Sequence, residues 1–211
     1  MSSREEMLSR LRIALQDVPA GEGLSDVDIR RDYRRTAPAD IALFAERVGD
    51  YRATVHRVPA EGLAMAVAAA LRRRPAARIV VPPGVPHDWL SEVDAEVAAD
   101  HSPLTNGELD AVDGVVTGCA VAVAETGTIV LDGGSAQGRR AITLVPDYHL
   151  CVVLADQVVG SVPEALARLD PTRPLTFISG PSATSDIELD RVEGVHGPRT
   201  LEVIVVEPPA G

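Results

Sequence analysis

The sequence predicts an α/β protein with a mixed, partly parallel sheet that is flanked by helices. In the first half of the chain, apolar segments of strand length alternate with segments whose apolar residues recur at helical spacing. After residue 112 the strand-like segments follow one another more closely, which is typical of antiparallel or mixed additions to a sheet. The 211 residues, 45% of them hydrophobic, suffice for a full hydrophobic core.

Helices are predicted from apolar spacing and from their amino-terminal caps. A capping box, in which Ser or Thr precedes Glu by three residues, occurs at Ser3/Glu6, Thr105/Glu108 and Ser161/Glu164. Helices are therefore expected at 3–16, 39–49, 61–72, 87–90 and from Ser161 to near Leu169. Strands are expected where apolar runs end in turn residues, at 53–58, 78–81, 115–116, 120–124, 128–131, 142–145, 150–154, 175–179 and 201–206.

The amino-terminal part differs in composition from the rest. Residues 1–35 are expected to form a helix and an exposed arm, and residues 36–211 the α/β domain. The segment Arg30–Arg35 holds four arginines among six residues. Such a run either contacts an acidic partner or a phosphate, or is a solvated face, and the solvated face is the more common case.

Charge and composition exclude several functions. The formal net charge is −11, and all twenty Lys+Arg residues are arginine. Without lysine the chain has no Schiff-base lysine and no P-loop. The acidic balance argues against nucleic acid, whose binding needs basic side chains. No apolar run approaches the roughly 20 residues that span a bilayer, and no apolar signal core is present, so we expect a cytoplasmic protein without a membrane span.

The cysteines and histidines do not predict a metal site. Cys119 and Cys151 lie in strand-like segments outside any CxxC pair, and we expect both to be buried. An iron–sulfur cluster takes about four cysteine ligands, so this chain alone is not expected to hold one. The five histidines show neither an i, i+4 pair nor another zinc-ligand spacing.

The first candidate site follows the apolar run that ends at Ala124. A carboxylate at a strand end, here Glu125, is suited to act as a nucleophile or general base, and Thr126 and Gly127 would let a ligand approach. The alternative is a simple hairpin turn in which Glu125 is solvated.

The second candidate site is the glycine-rich segment 132–138 with Arg139 and Arg140. These are the only arginines between Arg78 and Arg168. They would capture a carboxylate or phosphate by bidentate hydrogen bonds. A surface ion pair of little energetic value is the alternative.

The third candidate site begins where a strand runs into Gly180. We expect Ser185 and Glu188 to cap a helix whose start binds an anion, with Ser182, Thr184 and Asp186 around it. Asp186 would otherwise serve only the helix dipole. In the following loop, His196 lies between small residues and is a candidate acid or base, although a lone loop histidine is more often structural.

Four segments resemble the LUD-domain family, and within it the lactate-utilisation protein C (LutC-like) group. They are ETGTIV at 125–130, the Arg139–Arg140 pair, ISGPSATSDIE at 178–188 and GVHGP at 194–198. The resemblance covers roughly residues 112–207. It implies a NagB/RpiA/CoA-transferase-like fold and a subunit that supports oxidation of L-lactate to pyruvate. It also implies iron–sulfur partner subunits, with the clusters in the partners. The candidate anion-binding segments predict a small anionic metabolite as ligand.

Two other functions remain open. The chain is alternatively a stand-alone CoA-transferase-like or phosphosugar enzyme, since distant members of that fold use a strand-end glutamate in an E-x-G context and Glu125-Thr126-Gly127 has this form. It is alternatively a non-catalytic module that binds an anionic metabolite. Fold similarity by itself does not decide between these mechanisms.

Overall fold

The structure, a computed structural model, describes residues 3–17, 30, 32–74, 76–184, 192–193 and 197–208. Its contacts form two compact units, Met1–Arg34 and Arg35–Gly211. In the first unit, the predicted amino-terminal helix is confirmed as α1 (Ser3–Ala14). Most of the predicted arm lies at 18–29 and 31, outside the described residues. The second unit contains the remaining elements.

The second unit alternates helices and strands. Its α-helices are α2 (Ile41–Asp50), α3 (Leu63–Arg73), α4 (Asn106–Asp110) and α5 (Val162–Arg168). Its strands are β1 (Thr54–Val58), β2 (Arg78–Val81), β3 (Glu96–Ala99), β4 (Gly114–Thr117), β5 (Val121–Val123), β6 (Thr128–Leu131), β7 (Tyr148–Leu154), β8 (Val158–Val159), β9 (Thr176–Ile178), β10 (Ala183–Thr184), β11 (Val192–Glu193) and β12 (Thr200–Val206). Short 3-10 turns occur at Ala60–Gly62, His87–Leu90, Arg140–Thr143 and Ala155–Gln157.

Six strands form a parallel sheet in the order β1-β12-β7-β4-β2-β3. Helices cover both faces, so the inner strands read as continuous apolar runs. Along β7, Cys151 packs in the cluster that contains Phe44 of α2, whereas Leu150 packs in the cluster that contains Leu63 of α3. Successive residues of one strand thus reach two separate cores, as the period of two requires.

The remaining strands lie outside this sheet. A four-stranded sheet has the order β8-β5-β6-β9, in which β6 is antiparallel to both neighbours and β5 is parallel to β8. A short antiparallel pair joins β10 to β11. The predicted α/β class is confirmed: the six-stranded sheet is wholly parallel, and every antiparallel pairing of the described strands lies in one of the two smaller sheets.

Two of the predicted capping boxes occur as expected. Thr105 accepts from the Glu108 N–H at 3.3 Å, and Glu108 accepts from the Thr105 N–H at 2.7 Å. Glu164 likewise accepts from the Ser161 N–H at 3.0 Å at the start of α5.

The strand predicted at 142–145 is wrong. Residues Arg140–Thr143 form a 3-10 turn, and Ile142 is buried against Val80 and Leu109. A four-residue apolar run has no length or period that separates a strand from a buried turn. The edge strand β3 was not predicted, because its sequence EVAA carries too little β-branched character.

Candidate functional site

The segment ETGT forms the turn between β5 and β6. The N–H groups of Ala124 and Glu125 donate to the carbonyls of Val159 and Gly160 at 2.8 and 3.2 Å, which ties the turn to β8. The Glu125 side chain is half-buried at this point. The arrangement is the hairpin turn that the sequence allowed as an alternative, and the chemical role of Glu125 stays a prediction.

Gly127 lets this turn touch the carboxyl end of α2. Its φ is +59°, a conformation that L side chains rarely adopt. A Cβ at this position would lie 2.7 Å from backbone atoms of Arg47 and Val48. Glycine is therefore required here for both backbone conformation and space.

A row of three hydroxyls joins this turn to the third candidate segment. Thr128 Oγ1 lies 2.8 Å from Thr126 Oγ1 and 2.8 Å from Ser179 Oγ. Thr128 is buried, whereas Thr126 and Ser179 are partly exposed. Hydroxyls both donate and accept, so such a row can bind an anion or pass a proton toward a neighbouring base.

The next residues continue the same assembly. Gly180 has φ +129°, and a Cβ there would lie 2.7 Å from Cβ of Tyr51, just beyond α2. The Ser182 N–H donates to the Pro198 carbonyl at 2.9 Å. We call Glu125–Thr128, Ser179–Ser182 and Gly197–Pro198 together the motif cluster, because the structure connects these three segments that the sequence resemblance singled out.

Several predicted site residues lie outside the described residues. They are Asp186, His196 and the Ser185/Glu188 capping box. The backbone of Thr184 pairs with Val192 between β10 and β11. The roles expected for these side chains stay predictions.

The glycine-rich segment lies at the carboxyl edge of the parallel sheet. The Gly84 N–H after β2 donates to the Ser135 carbonyl at 3.0 Å, and the Gly118 N–H after β4 donates to the Ala136 carbonyl at 2.8 Å. Ligands in open α/β sheets commonly bind at this edge. Here the protein's own loop crosses the ends of two strands.

Arg139 and Arg140 have different surroundings. Arg139 donates from Nε and NH2 to the two carboxylate oxygens of Asp100 at 2.8 and 3.1 Å, and from NH2 to the Leu104 carbonyl at 2.6 Å. Although burial opposes the charge on Asp100, the hydrogen bonds from Arg139 and the Leu104 N–H lower its pKa. Arg140 is exposed and donates to Thr143 Oγ1 at 3.2 Å. Arg139 therefore fastens the loop to the residue after β3, and anion capture by the pair stays a prediction.

The motif cluster and the arginine loop do not form one site. They lie at opposite ends of β6, whose four residues span about 13 Å at about 3.3 Å per residue. The sequence did not predict Asp100 as the partner of Arg139. The only local signal is one acidic residue directly after three apolar residues, which does not identify a partner 39 residues away.

The buried environment predicted for both cysteines is confirmed. Cys119 is 4% and Cys151 0% exposed, and both are free thiols. Cys119 donates to Gln157 Oε1 at 3.3 Å, and Cys151 to the Gly118 carbonyl at 3.7 Å. Each thiol is thus hydrogen-bonded within the core.

The described part of the chain shows neither a cluster of metal ligands nor a membrane-spanning helix. No three His, Cys, Asp or Glu side chains there gather into a group able to hold a metal ion. The helices in the same part are all too short or too polar to span a bilayer.

Comparison with known proteins agrees with the fold and the motifs. The family model of the LUD domain matches residues 86–206 of the sequence. A lactate utilization protein C of Deinococcus radiodurans is 53% identical over 167 residues, 77% of either chain. One of Geobacillus thermodenitrificans is 34% identical over 132 residues, 57% of this chain and 54% of that protein.

A similar solved structure is the crystal structure of a DUF162 family protein from Deinococcus radiodurans. It is 44% identical with a TM-score of 0.67, over 79% of this chain and 95% of that one. The family match spans more than half of the sequence and includes the whole motif cluster. The chain therefore belongs to the LUD-domain family, as its four motif segments predicted.

Proposed function

We propose that this chain is a subunit of a lactate-utilisation complex that supports the oxidation of L-lactate to pyruvate. The observation that carries the proposal is the convergence of three family motifs in the motif cluster of a chain 53% identical to a lactate utilization protein C. Motif residues that are distant in sequence and adjacent in space are the usual form of a binding or catalytic site.

The motif cluster is suited to a small carboxylate metabolite. Thr126 and Ser182 offer polar groups, while Gly127 and Gly180 let their segments pack against α2 and Tyr51. Glu125 is the candidate base, and His196 and Asp186 complete the proposed set. Arg139 and Arg140 act separately, at the other end of β6.

Electron transfer is assigned to partner subunits. The two buried cysteines of this chain do not suffice for an iron–sulfur cluster, so clusters that accept electrons from lactate would lie in proteins bound to it. A tagged copy purified from lactate-grown cells should carry iron–sulfur proteins with it. Purification of the chain without any such protein contradicts this part of the proposal.

Gene deletion and complementation test the role itself. A deletion strain without a second copy should fail to grow on L-lactate as sole carbon source, and the wild-type gene should restore growth. Glu125→Gln should not restore it, whereas Glu46→Gln should, because Glu46 is an exposed residue of α2 outside the motif cluster. Normal growth of the deletion strain refutes the role, and full complementation by Glu125→Gln refutes only the assignment of Glu125.

A stand-alone acyl-transfer enzyme is the second candidate function. It is favoured by the half-buried carboxylate of Glu125 next to a glycine turn and a row of hydroxyls. In that mechanism the carboxylate attacks an acyl-CoA thioester, and CoA thiolate leaves as an acyl-glutamate anhydride forms. Mass spectrometry of the purified chain after incubation with acyl-CoA tests for this adduct, which Glu125→Gln must abolish.

A further inference from the structure

A buried polar cluster lies at the amino ends of β1, β12 and β7. Its centre is Glu202, the third residue of β12, which is 3% exposed. Oε1 accepts from Arg73 NH2 at 2.5 Å and lies 2.6 Å from His56 Nε2. Oε2 accepts from the Tyr148 hydroxyl at 2.9 Å. Both oxygens of the carboxylate are therefore partnered.

A cavity of about 500 Å³ adjoins this carboxylate. It is lined by Thr54, Arg73, Arg74 and Glu202. Thr54 is the sheet neighbour of Glu202 in the parallel register of β1 and β12. The Arg73 side chain is 50% exposed, so the cavity is open to solvent.

The second arginine also belongs to the cluster. The guanidinium carbon of Arg74 lies 5.6 Å from the centre of the Tyr148 ring, within cation–π range. Arg72 and Arg73 already place positive charge at the carboxyl end of α3, where the helix dipole favours it. Since Arg73 neutralises Glu202, Arg74 adds a positive charge that the internal network does not require.

The charges of the side chains that line the cavity favour a ligand of one particular charge. Burial opposes the charge on Glu202, but hydrogen bonds from Arg73, Tyr148 and His56 lower its pKa, so the group is a carboxylate at neutral pH. Burial and the nearby carboxylate raise the pKa of Tyr148, which is therefore neutral. The three charged side chains that line the cavity, Arg73, Arg74 and Glu202, therefore carry a net charge of +1. A monoanion balances this charge, whereas a dianion leaves excess negative charge beside a buried carboxylate, which is unfavourable.

We propose that this cavity binds the carboxylate of a small monoanionic organic acid between Arg73 and Arg74, with the Thr54 hydroxyl as a further polar contact. Planar guanidinium groups suit carboxylates because they offer two parallel donors. The proposal does not rest on the role in lactate utilisation. It concerns a second site, made of side chains outside the motif cluster, although Glu202 follows Pro198 of that cluster by four residues.

Calorimetric titration of the full chain with acetate, lactate, pyruvate and inorganic phosphate tests the site. Wild type should bind at least one monocarboxylate saturably and more tightly than phosphate. Arg74→Gln should weaken that binding about tenfold or more, since a charge-assisted hydrogen bond is worth about 1.5–3 kcal/mol. The matched control is Arg72→Gln. Arg72 lies at the same end of α3, but its NH1 is 3.8 Å from a carboxylate oxygen of Asp94, so this variant should bind the monocarboxylate within about twofold of wild type.

A second readout reports the location of the ligand. The imidazole NMR signal of His56, assigned by its loss in His56→Gln, should shift when the monocarboxylate is added to wild type. Unchanged urea midpoints of both arginine variants would show that they fold. The proposal is overturned if no monocarboxylate binds, if phosphate binds more tightly than all three, if Arg72→Gln weakens binding as much as Arg74→Gln, or if the His56 signal does not move.

Discussion

Replacement of Arg139 by alanine measures how much the ion pair with Asp100, which fastens the glycine-rich loop, contributes to stability. The Asp100 side chain is 5% exposed and that of Arg139 33%. Removal of one partner from a buried pair costs about 3–5 kcal/mol, and partial exposure of Arg139 places the expected loss lower, at about 2–3 kcal/mol. Arg140→Ala is the matched control, and loss of its single contact with Thr143 should cost under about 1 kcal/mol.

Urea unfolding at pH 7 measures both free energies. A double variant, Asp100→Asn with Arg139→Ala, should recover about 1 kcal/mol or more of the loss, because no buried carboxylate is then left unpaired. The reasoning is refuted if Arg139→Ala destabilises the protein no more than Arg140→Ala does.

The pH dependence of the same pair follows from the lowered pKa of Asp100. A carboxyl whose pKa is lowered by folding stabilises the native state fully above its unfolded pKa of about 3.9. That contribution is lost as the pH falls through the folded value. The difference in unfolding free energy between wild type and Arg139→Ala should thus be complete at neutral pH and shrink in acid.

Three further changes have expected outcomes. Gly127→Ala should lower the free energy of unfolding by about 2 kcal/mol or more, because an alanine there is held in a left-handed conformation and its Cβ clashes with α2. Gly107→Ala is the control: its Cβ has open space, so the free energy of unfolding should rise by about 0.5–1 kcal/mol, and urea unfolding compares the two variants. Thr128→Val keeps the shape but removes the central hydroxyl of the row, and thermal unfolding should show a loss of about 1–2 kcal/mol. Cys119 and Cys151 should react slowly with a thiol reagent in the native protein and fully in urea, and rapid native reaction would contradict their burial.

Local patterns in the sequence were sufficient for most elements. The strand Arg78–Val81 was predicted residue for residue, because a continuous apolar run ends at two prolines and a glycine. The 3-10 turn at Arg140–Thr143 was mistaken for a strand because a short apolar run has no diagnostic period. The amino-terminal helix was predicted from its capping residues and apolar spacing, and the division of the chain after residue 35 stays a prediction.

The segments that form the candidate sites were predictable from the sequence, but the contacts between these segments were not. The turn at Glu125–Thr128 and the segment at Ser179–Ser182 each carried a recognisable motif, but their connection through Thr128 depends on the pairing of β6 with β9. The only sign of Glu202 as a buried group in the sequence is that it is the one acidic residue inside the apolar strand β12. Its partners His56 and Arg73 are 146 and 129 residues away, a distance that no local pattern spans.

The position of β12 has a consequence for synthesis of the protein. This strand lies between β1 and β7, and Thr54 of β1 pairs with Glu202. During translation at about 5–20 residues per second, β1 therefore waits roughly 7–30 s for its only sheet neighbour among the described strands. Until then its edge is unpaired and open to wrong pairing with another strand. Completion of the parallel sheet and assembly of the Glu202 cavity both require this last strand.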